Sequence, residues 1–173
     1  MKLLTQMGET CMLYSVAMLL DLSVETVIKE LGHDGSEILW PANDVHKEQA
    51  AAYHIQEIQD LCISRGFALA PIEVWPIHGP CIEEFKEVFE ARGDDLTLER
   101  FFNHIEGRKA LLFLQCNDDP TVGEEMEVRV HACAWDGENI YDPNGSVYPP
   151  MDLPDVYKDD WNIKDAWLLV KLI

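Results

Sequence analysis

The spacing of apolar residues changes once along this chain, after Gly107, and that change constrains the fold more than any other feature. Upstream the spacing is helical. Cys11 to Leu20 is apolar almost all round, which predicts a helix buried on every side. Ser23 is a candidate N-cap for Val24, Val27, Ile28 and Leu31, which recur at i, i+3, i+4 and i+7, and Gly32 closes that helix. A third helix is expected from Tyr53 to Arg65, with Ile55, Ile58, Leu61 and Cys62 inward and Gly66 at its end. Cys81 to Ala91 carries the stripe Ile82, Phe85, Val88 and Phe89. Thr97 caps a short helix with Leu98, Phe101, Phe102 and Ile105, which Gly107 stops.

Downstream the spacing suits strands. Ala110 to Cys116 is a short continuous apolar run, the sign of a buried strand. A polar loop with Pro120 and Gly123 follows. From Glu127 to Trp135 residues alternate, with Val128, Val130, Ala132 and Ala134 on one face and Arg129, His131 and Cys133 on a more polar one. Asn139 to Asp142 and Ala166 to Ile173 complete the strands, and the stretch from Pro71 through Trp75-Pro76 to Pro80 reads as a loop bridging the two halves. Helices first and an antiparallel sheet second is an α+β pattern. Without repeats or linker-like stretches, residues 1–173 are expected to form one domain.

Charge limits the partners. Thirteen Lys and Arg stand against thirty-two Asp and Glu, a net charge of −19, which repels phosphate backbones and anionic lipid. No nucleic-acid or membrane binding is therefore expected, and a basic protein is the partner that charge favours. No run approaches a membrane span, and the N-terminus turns polar too soon for a secretory signal, so a cytoplasmic protein is expected. Five widely spaced cysteines, an odd number with no Cys-x-x-Cys pair, argue against a disulfide framework or a zinc knuckle. His33, His46, His54, His78 and His104 match no metal spacing, and Gly32-His33-Asp34-Gly35-Ser36 lacks the Lys of a phosphate loop, so no metal or cofactor is expected. The doublets Asp94-Asp95, Asp118-Asp119 and Asp159-Asp160 read as solvated surface.

One cysteine stands apart by position. Cys11 opens the buried helix, where the positive dipole end and unpaired N–H groups favour a thiolate, with Glu9 opposing slightly. The second half supplies a partner. With Asp136-Gly137 as a two-residue turn, His131 faces Asp142; a four-residue turn pairs it with Asn144 instead. Either register gives the imidazole an orienting group. Thiol, imidazole and carboxylate are the parts needed to attack an acyl carbon. Gln6, shortly before Cys11, is a candidate donor to the developing oxyanion together with the Cys11 N–H.

Gln6 and Cys11 before a buried helix, followed late by His131-Ala-x-x-Trp-Asp-Gly-x-x-Ile-Tyr-Asp142-Pro143, resemble the papain-like cysteine peptidases. The likeness is nearest to the double-glycine (bacteriocin-leader) peptidase-like branch and its small bacterial and phage relatives. It covers about the first 35 residues and residues 128–145. It implies a papain-like fold, a helical half packed on an antiparallel sheet, and thiol-dependent hydrolysis or acyl transfer at a peptide, isopeptide or amide bond. In that likeness Cys11 is the nucleophile, His131 the base and acid, Asp142 the orienter and Gln6 the oxyanion donor. Met12 and Tyr14 are bulkier than the residues common there. The rival reading is a non-catalytic protein on the same fold, whose acidic surface engages a basic partner or imitates nucleic acid.

The charge yields the first prediction. A mobility assay with duplex DNA at physiological salt should show no shift, because the excess carboxylates oppose the phosphates. A salt-dependent shift would reveal a basic face and overturn it.

Overall fold

The structure, a computed structural model, describes residues 1–7, 10–36, 53–72, 98–117, 128–157 and 161–173. Three helices come first: α1 (Cys11–Leu20), α2 (Val24–Leu31) and α3 (Ile55–Ser64). Strand β1 (Phe67–Ile72) and helix α4 (Leu98–Ile105) follow. Then come β2 (Ala110–Asn117), β3 (Val128–Trp135), β4 (Ile140–Asp142), β5 (Ser146–Tyr148), a 3₁₀ turn (Pro150–Asp152), α5 (Leu153–Tyr157) and β6 (Trp161–Lys171). The fold is α+β, with an N-terminal helical part and a C-terminal antiparallel sheet. The expected helix from Cys81, the Thr97 cap, the loop at Trp75-Pro76 and the three acidic doublets lie outside the described residues.

The helix signals act as read. Ser23 Oγ accepts the Thr26 N–H, and Gly32 closes α2 in the left-handed conformation at φ 84°. α3 starts two residues later than expected, because His54 caps it and Glu57 reaches back to the His54 N–H. α1 is apolar all round, and Leu13, Val16, Ala17, Met18 and Leu19 are all buried. Among the described residues no single helix is long and apolar enough to cross a membrane; α1 and α2 meet that test only as a pair bent by 106°.

The sheet runs β1-β6-β2-β3-β4-β5, with every pairing antiparallel. Its strands differ from the sequence reading first in their extent. Phe67 to Ile72 is a strand, not part of a helical half, and it pairs with β6 from Phe67↔Lys171 to Ile72↔Ala166. Pro71 fits because β1 is an edge strand, where a missing N–H costs no ladder bond. β6 also begins at Trp161, earlier than Ala166, and its register on β2 shifts between Phe113 and Leu114. A mixed polar start hid those first residues.

The second difference concerns burial. Both faces of the sheet are covered. α1 to α3 pack with Leu69, Leu111 and Ala134 on one face. α4 and α5 pack with Leu112, Leu114, Cys133, Trp135 and Ile140 on the other. The face of β3 that carries His131 is thus a second core: Cys133 is 0 % and Trp135 2 % exposed. Trp135 Nε1 donates to the Ile105 carbonyl, which fixes α4 to the sheet.

The β3–β4 hairpin closes with the longer of the two turns considered. Ala134 pairs with Tyr141 and Trp135 with Ile140, leaving Asp136 to Asn139 as a four-residue connection. The two-residue register is overturned for a local reason. Asp136 Oδ1 accepts the N–H groups of Glu138 and Asn139, and the Asp136 N–H donates to the Asn139 carbonyl. Gly137 then lies at φ 107° against the Gly107 and Arg108 backbone, where an added Cβ would meet the Gly107 Cα at 2.8 Å.

Gly137→Ala should therefore destabilise the protein by about 2–4 kcal/mol, through a strained φ and a backbone clash together. Gly32→Ala, at φ 84° but in open space, should cost about 1 kcal/mol. Urea denaturation reads both, and equal costs would show that the approach to Gly107 is not tight.

Candidate functional site

Cys11 sits at the first turn of α1, on the face that meets β3. Thr10 caps the helix without a side-chain bond, and no acidic residue occupies the first turn, so neither offsets the positive helix end beside the sulfur. Four residues on, Ser15 is fully buried and its hydroxyl donates to the Ala132 carbonyl at 2.8 Å. That bond fixes the rotation of α1, and with it the direction of Cys11, since i and i+4 share a helix face. The Ala132 N–H in turn donates to Cys11 Sγ at 3.4 Å.

His131 is the residue before Ala132, and its imidazole lies close enough to the Cys11 thiol to lower the pKa of the sulfur. Its Nε2 lies 2.9 Å from Asp142 Oδ1. In the four-residue register Asp142 falls level with Cys133, so this bond runs diagonally across the hairpin, a distance an imidazole spans. Asn144, which that register sets level with His131, turns elsewhere: its N–H donates to Asp142 Oδ1 at 2.8 Å and its side-chain oxygen accepts from Gln6 Nε2 at 2.7 Å. Asp142 is 1 % exposed. Its second oxygen accepts the hydroxyls of Tyr148, at 3.2 Å, and Tyr157.

The electrostatics follow from this geometry. Burial pushes the Cys11 thiol up, but the imidazole, the Ala132 N–H and the charge on His131 outweigh it, and the thiol ionises below its ordinary range. Burial disfavours a charged His131, yet the bond to Asp142 and the contact with Cys11 raise its pKa well above the usual imidazole value. Asp142 stays ionised below the usual carboxylate range despite burial, because His131, Tyr157 and the Asn144 N–H donate to it. Opposite shifts on Cys11 and His131 favour a thiolate–imidazolium pair at neutral pH. The other thiols with described side chains behave differently: burial pushes both Cys62 and Cys133 up to about 11.

Gln6 reaches the same corner by another route. Its N–H donates to the Pro143 carbonyl at 2.7 Å and its Nε2 donates to Asn144, while its buried Oε1 has no partner among the described residues. The N-terminal segment thus crosses the turn after β4 and brings Gln6 to Asp142 and its neighbours. One of its amide N–H bonds is thereby committed to Asn144. Met12 and Tyr14 pack against the helix-side core.

His131, Cys133 and Asp142 place one potential ligand atom each within 4.8 Å of one another. The donor set does not suit a metal. Cys133 is held as a neutral thiol, and both Asp142 oxygens already accept two bonds each. His33, of the Gly32–Ser36 segment, bonds Glu57 and stacks on Tyr53, so it braces α3. Tyr148, Tyr157 and Ser15 escaped the sequence reading. Asn144-Gly145, a hairpin signal, predicts the β4–β5 turn that sets Tyr148 diagonal to Asp142; Ser15 was findable from its i+4 spacing, and Tyr157 had no local signal. Comparison with models of known families, with curated proteins and with solved structures returns no match.

The Asp142 shift makes a pH prediction with a definite sign. Its carboxyl ionises lower in the folded chain than in the unfolded one, where the value is about 3.9. Its stabilisation is complete above the unfolded value and is lost as pH falls through the folded one. The unfolding free energies of the wild type and Asp142→Asn should therefore differ in full at pH 5 and above, and the gap should shrink as pH falls below about 3.9. A gap that widens on acidification would contradict the shift.

Proposed function

We propose that the chain is a small papain-like thiol hydrolase or acyl transferase, acting on a peptide, isopeptide or amide bond through a Cys11 acyl-enzyme. One observation carries this reading: an imidazole bonded to a buried carboxylate also acts on a thiol at the N-terminus of α1. The order of groups fits the chemistry. Cys11 thiolate attacks the acyl carbon, and His131, held by Asp142, gives its proton to the departing amine. His131 then takes a proton from water as that water attacks the thioester. The Cys11 N–H and the Gln6 amide are the candidate donors to the oxyanion. A free-thiol nucleophile suits a reducing compartment such as the cytoplasm. The charge of −19 favours a basic peptide or protein as substrate.

Reactivity tests the reading without a known substrate. Brief iodoacetamide treatment near pH 6, followed by peptide mapping, should modify Cys11 well ahead of the other four cysteines, and His131→Ala should slow that labelling. Against a peptide or amide substrate, Cys11→Ala should abolish turnover and His131→Ala should reduce it about 10²–10⁴-fold. Asp142→Ala should cost less, because the carboxylate orients and stabilises but carries no proton. Cys11 left unmodified, or reacting no faster than Cys81, would sink the catalytic reading and bring forward a binding protein on the same frame.

A further inference from the structure

The interior of the sheet's second face holds two phenols that the reaction above does not use. Tyr148 is 6 % exposed, and Tyr157 closes the short helix α5. Both hydroxyls converge on Asp142 Oδ2, while Oδ1 is occupied by His131 and the Asn144 N–H. The Tyr157 ring also stands 6.0 Å from the imidazole, at 47°, forming a wall beside it. Among the described residues, the titratable groups around this carboxylate are His131 and Cys133 from β3, Tyr148 from β5 and Tyr157 from α5, with Cys11 from α1 beyond the imidazole. His131 alone of these becomes cationic.

We infer that Tyr148 and Tyr157 form a hydroxyl clamp that holds Asp142 as a carboxylate aimed at His131, making them positioning residues for the Cys11 reaction. This rests on the proposed thiol chemistry and extends it to two further elements of the fold. The reasoning is electrostatic. A carboxylate this buried needs donors on both oxygens to remain charged. Buried phenols are neutral donors here, because burial pushes both hydroxyls well above the ordinary tyrosine value. Without them Oδ2 is an unsolvated anion, and the carboxyl takes up a proton at a higher pH. A protonated Asp142 no longer sustains the imidazolium, and the thiolate is lost with it. The clamp therefore acts on the acid side of the pH profile.

The variants are Tyr157→Phe, Tyr148→Phe and the pair together, with Tyr141→Phe, whose hydroxyl serves Asp136, as control. Thiolate is read by the rate with 2,2′-dipyridyl disulfide across pH, and the Asp142–His131 pair by NMR titration of the His131 ring proton. At pH 4.5 the double variant should react about tenfold more slowly than the parent, yet within twofold at pH 8. The acid inflection of the His131 signal should move to higher pH, while Tyr141→Phe leaves both unchanged. If the double variant fails to fold, Tyr148→Phe, which removes the 3.2 Å bond, should give the same direction with a smaller change. Profiles that superimpose on the parent, or that move equally in the control, overturn the clamp. The proposed function fails separately, when parental Cys11 is not the fastest thiol, and the His131 titration still decides the clamp in that case.

Discussion

A carboxylate buried beneath the sheet's second layer is the constraint on which this structure turns. Removing a charged carboxyl from water costs several kcal/mol unless donors replace the solvent. Asp142 finds four: an imidazole from β3, a backbone N–H from its own turn, and hydroxyls from β5 and α5. Each donor arrives on a different piece of chain. The order of elements after Gly107 can thus be understood as a way of bringing them together. β3 and β4 must pair in one register, β5 must fold back, and α5 must pack over the same face.

The thiol depends on the same group at one remove. Burial alone would make Cys11 as inert as Cys62 or Cys133, whose values rise. What separates it is its place at a helix N-terminus, a strand N–H and an imidazole that Asp142 keeps protonated. Of these the imidazole is the largest favourable influence and the only one that can also move a proton. A backbone dipole stabilises a sulfur anion but does nothing for a leaving amine.

Local signals in the sequence identified the pieces of this arrangement but not all of its joints. Cys11 was legible because an apolar helix with a polar start marks its own N-terminus, and His131 and Asp142 because they flank a hairpin. The register was not settled, since Asp-Gly supports a two-residue turn as readily as the Asp136-capped loop that forms. Strand β1 was hidden because its short run, broken by Pro71, gains its ladder only from β6, about a hundred residues later. The polar look of the His131 face misled for a similar reason. Its cover comes from α4 and α5, and no local pattern in β3 announces distant helices. Tyr157 belongs to the same class: a long-range partner with an ordinary neighbourhood.

The shortness of β4 explains why thiol and imidazole can meet at all. α1 packs on one face of the sheet, whereas His131 belongs to the other, so a fully paired strand would keep them apart. The ladder between β3 and β4 is formed by Ala134 and Trp135, and β4 itself ends at Asp142. Pro143 has no N–H to continue it, and the Gly145 N–H closes a turn onto the Asp142 carbonyl. The edge of β3 at 131–132 is thereby left open. Cys11 Sγ takes the Ala132 N–H there, within the influence of an imidazole that is bonded to Asp142. Lengthening β4 by two residues would place another strand where the sulfur now sits. The proline that stops the strand is therefore as much a part of the site as the side chains gathered around it.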